Sequence, residues 1–185
     1  ASARVRKREQ AHSGNVKCAP SRPVDPSSRA EAMSSPEVLE WKKAEAEEIR
    51  ALMENGTWEV VARPEGACIV KSGFVYKVKL DEDGKISRYK ARLVAKGYSQ
   101  RYGIDFTETF SPVVKGATLR TVIAWGAARG YLARQYDVKN AYLKGILKET
   151  IYMAPPPDFL IKADVGKVLL LKKSLYGLKQ AGRAW

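Results

Sequence analysis

Histidine and cysteine are nearly missing from this chain of 185 residues: His12 is the one histidine, and Cys18 and Cys68 are the two cysteines. A lone histidine in a stretch without periodicity cannot serve a Ser-His or Cys-His pair, which removes that form of nucleophilic catalysis. The cysteines lie far apart, outside any C-x-x-C or Cys/His context, so neither a disulfide framework nor a zinc site is expected. No apolar run reaches the roughly 18 residues of a membrane span, and no membrane partner is expected. The opening Ala1-Ser-Ala-Arg-Val-Arg-Lys-Arg8 lacks the apolar core of a secretory signal. The chain does not begin with Met and stops at Trp185 inside an apolar pattern. Both features suggest a piece of a longer polypeptide.

Acids are also scarce relative to bases. Lys and Arg number 33 against 20 Asp and Glu, a net charge of +13. Such an excess suits a polyanionic partner, most simply nucleic acid, although a basic protein without one has the same balance. Hydrophobic residues make up 45% of the chain, enough for a globular core.

Residues 1–34 are rich in Ser, Ala, Pro and Arg and lack periodicity, which predicts a disordered basic linker. Ser35-Pro36 has the form of a helix N-cap followed by Pro, and Val38, Trp41, Ile49 and Leu52 recur at helical spacing. This predicts an amphipathic helix over 36–54, stopped by Asn55-Gly56, and a short strand over Trp58–Val61. A hairpin follows: Phe74–Leu80 alternates, Asp81-Glu-Asp-Gly84 turns, and Ile86–Lys96 returns. With a period of two, Arg88, Lys90 and Arg92 share one face, joined by Lys77 and Lys79 from the first strand. The acids of this window crowd into the turn, leaving a row of cations that fits either a platform for phosphates or the ordinary solvated face of an antiparallel sheet.

A helix is predicted from Thr118 to Arg129, with Leu119, Val122, Ile123 and Ala127 as its buried stripe and Trp125 in the core. It leads to a short strand over Leu132–Val138 carrying Asp137, then Asn140-Ala-Tyr142. Acids in such positions commonly cap a turn or face water. Strands are predicted at Ile151–Met153 and Val168–Leu171, and a helical segment from Ser174 to Gln180. The fold class expected is α+β, with antiparallel hairpins and packed helices.

Five stretches, in order and without large gaps, resemble the reverse transcriptase of copia-type long-terminal-repeat retrotransposons. They are Asn55-Gly-Thr-Trp58, Arg88-Tyr-Lys-Ala-Arg-Leu-Val-Ala-Lys-Gly97, Gly103-Ile-Asp-Phe-Thr-Glu-Thr-Phe-Ser-Pro-Val-Val114, Gln135-Tyr-Asp-Val-Lys-Asn-Ala-Tyr-Leu143 and Lys173-Ser-Leu-Tyr-Gly-Leu-Lys-Gln-Ala181. The departures are Phe74 for a usual Trp, Asp158 for a usual Gly, Gly182 for a usual Pro, and Tyr142 where Phe is frequent.

The resemblance implies a right-hand polymerase, with fingers over 35–115 and an incomplete palm over 116–185 that stops before the Tyr-x-Asp-Asp loop. It implies template-directed DNA synthesis by two-metal nucleotidyl transfer, with two Mg2+ ions (or Mn2+), an RNA or DNA template with primer, and deoxynucleoside triphosphates. Asp137 matches the first catalytic, metal-binding acid, with the Val138 carbonyl as helper. Asn140 and Ala141 would offer backbone N–H groups to the triphosphate, and Tyr142 would stack under the sugar and exclude a 2′-hydroxyl. Lys90 and Arg92 would neutralise the triphosphate, while Lys77, Lys79, Gly177 and Lys179 would face template and primer. Any of Lys77, Lys79, Lys90 and Arg92 could reach the phosphates. The partners implied are the rest of the polyprotein (remaining palm, ribonuclease H and integrase), and the location is a cytoplasmic virus-like particle with a nuclear phase. With two catalytic acids absent, the fragment is expected to be inactive alone. The alternative is a non-catalytic nucleic-acid-binding relic or domesticated module.

Overall fold

A computed structural model describes residues 23–159 and 166–185. The expected tail therefore lies mostly outside the described residues, as do His12 and Cys18. The part that is described is not all linker. Arg29–Ser34 form a helix, α1, capped by the Ser28 side chain, which accepts the Glu31 N–H at 3.2 Å. Six residues cannot hold a helix alone. Tertiary contacts hold this one: Arg29 donates to Glu45 at 3.1 and 3.2 Å and to Asp158 at 2.9 Å.

The second helix, α2, runs Val38–Glu54. Its cap is Glu37, not the expected Ser35, whose hydroxyl instead donates to the Ala32 carbonyl and closes α1. Trp41 and Leu52 are buried as their spacing requires, but so is Glu45. That acid accepts both Arg29 and the Tyr76 hydroxyl, which satisfies its charge within the core. Burial and the neighbouring Glu45 carboxylate raise the Tyr76 phenol well above its ordinary value.

Four strands form one sheet in the order β1 (Trp58–Ala62), β6 (Lys167–Lys173), β5 (Ile146–Met153), β2 (Ile69–Val70). The first three pair antiparallel, whereas β2 lies parallel to β5 through Ile69 and Val70. The α+β expectation holds, but this parallel pair of two residues is too short to leave a periodic signal. A cut at residue 115 would pass through this sheet, which takes β1 and β2 from one side and β5 and β6 from the other. The single boundary expected there does not divide the core. Leu52, Val70 and Leu93 pack in one cluster with Leu143, Ile151, Met153, Leu169 and Leu175. Each fully buried side chain of this kind stabilises the fold by about 1.5–3 kcal/mol.

The predicted hairpin is β3 (Ser72–Leu80) and β4 (Ile86–Ala95), in a register that sets Lys77 opposite Lys90 and Lys79 opposite Arg88. Its apolar face, with Tyr76, Val78 and Ala91, meets Trp41 of α2, whose ring stands edge-on to Tyr76 and Tyr89 at 5.2 and 4.7 Å. Both outer edges of the hairpin are closed by acids. Asp25 accepts the Val78 N–H at 2.7 Å, and Glu48 accepts the Leu93 N–H at 3.3 Å.

Two expectations fail at residues 116–139. The helix α3 forms (Gly116–Ala128), but none of its residues is buried: Leu119, Val122, Ile123 and Trp125 are all about half exposed. The apolar stripe is present in the sequence but meets no second surface among the described residues. The strand expected at Leu132–Val138 is absent as well. A strand needs a neighbour to hydrogen-bond, and no described strand pairs with this one. Finally, Ser174–Gln180 are turns, and the last helix, α4, begins at Ala181 and ends at Ala184. No helix among the described residues is long and apolar enough to cross a membrane.

Candidate active site

One cleft of about 660 Å³ gathers Lys90, Arg92, Asp137, Val138 and Asn140, together with Arg88, Glu48 and Tyr176. The pleat of β4 supplies the cations. Alternate side chains point the same way, so Arg88, Lys90 and Arg92 share the face away from Trp41. The cost of this row is visible at Lys90, whose ammonium is held below its usual value by burial and then by Arg92 and Arg88, with Glu48 partly offsetting them. A phosphate placed here would offset the repulsion from Arg92 and Arg88 and favour the charged ammonium.

The opposite wall is the exposed segment carrying Asp137. Asn140 has φ +55°, a left-handed conformation that asparagine tolerates well, and it starts the short 3-10 turn Ala141–Lys144. The Leu143 N–H closes this turn on the Asn140 carbonyl at 2.9 Å, and Leu143 is buried. The turn thus anchors the Asp137 segment to the core through Leu143, with Tyr142 packed against the same cluster.

Tyr142 is partly buried. Its ring stands edge-on to Tyr176 at 4.9 Å, and the Arg92 guanidinium lies over the Tyr176 ring at 4.9 Å. The predicted sugar-side ring is therefore coupled to the predicted phosphate-side cation through a residue that sequence reasoning passes over. The only hint of Tyr176 is its place beside Gly177 in a motif.

Other expected site residues are engaged elsewhere. Gly177 has φ +89°, and a Cβ there would lie 2.1 Å from the Ala95 carbonyl oxygen. Its lack of a side chain serves backbone packing against β4. The Lys179 ammonium donates to the Gln100 carbonyl at 3.2 Å and sits 4.6 Å from the centre of the Phe106 ring. Lys77 is paired with Asp25, and neither Lys77 nor Lys79 lines the cleft. Ala141 adjoins it through the turn.

Sequence reasoning also misses a buried polar knot. Gln100 donates to Gln180 at 3.1 Å, Gln180 donates to the Asp105 carbonyl at 2.8 Å, and the Asp105 carboxylate accepts the Arg101 N–H at 2.7 Å. It ties the Gly103–Phe110 stretch to the Lys179–Ala181 stretch, so two of the sequence motifs serve structure here. Glu48 is missed too. It is held above its ordinary value by burial, against the Leu93 hydrogen bond and the charges of Arg92 and Lys90.

Asp137 offers hard oxygens of the kind magnesium prefers. No group of three His, Cys, Asp or Glu among the described residues could hold a metal ion. Glu48 lines the same cleft but already accepts Leu93. The residues present do not make a two-ion site.

Residues 55–185 match the family described as reverse transcriptase (RNA-dependent DNA polymerase). The chain is 47% identical over 161 residues to a retrovirus-related Pol polyprotein from transposon TNT 1-94 of Nicotiana tabacum, covering 87% of this chain and 12% of that one. It is 47% identical over 146 residues to the Pol polyprotein from transposon RE1 of Arabidopsis thaliana, covering 78% and 10%. A truncated transposon Ty1-A Gag-Pol polyprotein of Saccharomyces cerevisiae is 35% identical over 117 residues, covering 63% and 9%. The chain thus spans about a tenth of the length of the polyproteins it matches. No solved structure matches.

Proposed function

Because the chain belongs to the RNA-directed DNA polymerases of copia-type retrotransposons, we propose that it contributes the nucleotide-facing cleft of template-directed DNA synthesis within a longer Pol polyprotein. The observation that carries this reading is the single cleft that sets Asp137, Val138 and Asn140 opposite Lys90 and Arg92. In it, Lys90 and Arg92 bind the triphosphate of an incoming deoxynucleotide and the Asn140–Ala141 backbone flanks it. Tyr142 bounds the sugar. Residues before 115 together with β5 and β6 act as fingers, and residues 116–142 as the palm portion. Lys77 and Lys79, on the same hairpin face outside the cleft, meet template or primer.

Reverse transcriptases generally use divalent metal ions. Here Asp137 is one carboxylate of a site whose other acids must come from the rest of the polyprotein, as must ribonuclease H and integrase functions. The working location is a virus-like particle. Residues 1–185 alone should bind nucleic acid and not extend a primer.

The test is salt-titrated binding of the chain to an RNA–DNA primer–template hybrid. Affinity should fall steeply with salt, and Lys90→Ala with Arg92→Ala should reduce the logarithmic slope by about two contacts' worth, near 1.8. Salt-independent binding would sink the phosphate role. Binding with full salt dependence, but an Asp137→Asn polymerase that still extends primers, would favour a nucleic-acid-binding module without chemistry at this site.

A further inference from the structure

The turn after β6 is bolted to β4. The Ala95 N–H donates to the Tyr176 carbonyl at 2.8 Å, and the Leu178 N–H closes the turn on the Leu175 carbonyl at 3.3 Å. Gly177 supplies the positive φ that a turn of this kind demands at its third residue. The packing is close on both sides. A Cβ on Gly177 would strike Ala95, and a Cβ on Gly97 would lie 2.1 Å from the Gly177 carbonyl oxygen. Leu175 and Leu178 are buried on either side of the turn. The ring of Tyr176 is therefore mounted rigidly on the strand that carries Arg92.

Arg92 needs such a mount. Arg88 and Lys90 precede it on the same strand face, and like charges repel along a face where alternate residues stand only about 7 Å apart. Left to itself, a long exposed side chain would turn into solvent. Instead its guanidinium lies over the Tyr176 ring, whose electron-rich face attracts a cation. The other neighbour of that ring is Tyr142, two residues after Asn140. Tyr176 is thus the joint between the cationic strand and the Asp137 segment.

We propose that Tyr176 is a positioning residue for Arg92, holding its guanidinium over the cleft where a phosphate group binds. The proposal rests on the phosphate-binding reading of the cleft. The phosphate could belong to a nucleoside triphosphate or to a nucleic-acid backbone, and the two sources separate by experiment.

The 185-residue chain is compared with Tyr176→Phe, Tyr176→Leu, Arg92→Ala and the Tyr176→Leu/Arg92→Ala double variant. The first readout is the Arg92 Nε–H resonance, assigned by its loss in Arg92→Ala. Ring current should shift it upfield in the wild type and in Tyr176→Phe, and Tyr176→Leu should return it to the free-arginine position. An unshifted wild-type resonance overturns the proposal whether or not anything binds. The second readout is binding of dTTP and, separately, of an RNA–DNA hybrid across a salt series. Tyr176→Leu should weaken whichever probe Arg92 contacts as much as Arg92→Ala does, with about 0.9 lost from the salt slope where that probe is the hybrid, and Tyr176→Phe should keep wild-type binding. The double variant should be no weaker than Arg92→Ala. Additive losses, or a full slope in Tyr176→Leu, overturn the proposal. Should the wild type bind neither probe in a salt-dependent way, the phosphate-binding reading and this proposal fall together, even with Arg92 stacked. Should Tyr176→Leu not fold, the Arg92 resonance in the wild type and in Tyr176→Phe decides.

Discussion

The carboxylate of Asp158 lies 2.9 Å from the guanidinium of Arg29, although 129 residues separate them in sequence. Asp158 has φ +61°, the left-handed region, at a position where copia-type elements usually carry glycine. Glycine would remove a strain of about 1 kcal/mol there. It would also remove an ion pair whose acid is 83% exposed and which is worth about 0–1 kcal/mol. Asp158→Gly should therefore be between neutral and about 1 kcal/mol more stable, because relief of the strain equals or exceeds loss of the pair. Asp158→Ala keeps the strain and loses the pair, and should cost up to about 1 kcal/mol. Urea unfolding of the two variants separates them, and equal losses would sink this account.

Glu48 gives the chain a pH signature. Burial raises its carboxyl above the ordinary 4.5, against the pull of the Leu93 N–H, Arg92 and Lys90. An acid whose folded value exceeds its unfolded one binds more protons folded than unfolded. Stability then falls as pH rises from the ordinary value through the raised one, and is level above it. A glutamine side chain at this position would keep an acceptor for Leu93 without the buried charge. Glu48→Gln should thus be more stable than the wild type at pH 7, with the difference closing below about pH 4. Chemical denaturation at pH 4 and pH 7 checks this, and a gap that widens in acid would contradict it.

If Lys77 meets nucleic acid as proposed, Asp25 is the group that a phosphate must displace from it. Its two carboxylate oxygens divide their work, one accepting the Val78 N–H and the other pairing with the Lys77 ammonium. Asp25→Asn keeps the first contact and removes the charge. Affinity for a primer–template hybrid should rise about twofold to fivefold at low salt, with a slope steeper by up to about 0.9. Stability should fall by about 1 kcal/mol or less, since the Lys77 end of the pair is half exposed. Unchanged binding would mean that Lys77 does not face nucleic acid.

The parts of this fold that are legible in sequence are those fixed by local pattern. The β3–β4 register follows from the period of two and the Asp81–Gly84 turn, and α2 from Trp41, Ile49 and Leu52 at helical spacing. Of the candidate site, the sequence picks out Asp137, Lys90 and Arg92, and the fold brings these three to one cleft. What stays hidden depends on partners distant in sequence. The helix α1 exists through Glu45 and Asp158, and Glu45 reads as a surface acid until Arg29 and Tyr76 are placed on it. Tyr176 becomes informative only once Arg92 lies above it. The predicted Leu132–Val138 strand errs in the opposite way. Its pattern is right for a strand, but no ladder partner lies beside it among the described residues.

The exposed helix α3 makes the sharpest stability contrast in the molecule. Its 13 residues carry no buried side chain, and they include Gly116, Gly126 and the β-branched run Thr121-Val-Ile123. An isolated helix of this length is marginal in water, and such residues weaken it further. Amides of Val122–Ala128 should exchange with deuterium within about tenfold of their unprotected rates, while Leu93 and Leu169 in the core approach the protection set by global unfolding. Gly126 gives a second handle. Its φ is not positive, and a Cβ there would meet only the Tyr131 Cβ, at an ordinary 3.9 Å. Gly126→Ala should add about 1 kcal/mol to the helix, which is roughly fivefold more protection in α3 with none gained at Leu93. Core-like protection of α3 in the wild type would mean that its Leu119, Val122 and Ile123 stripe is covered in solution.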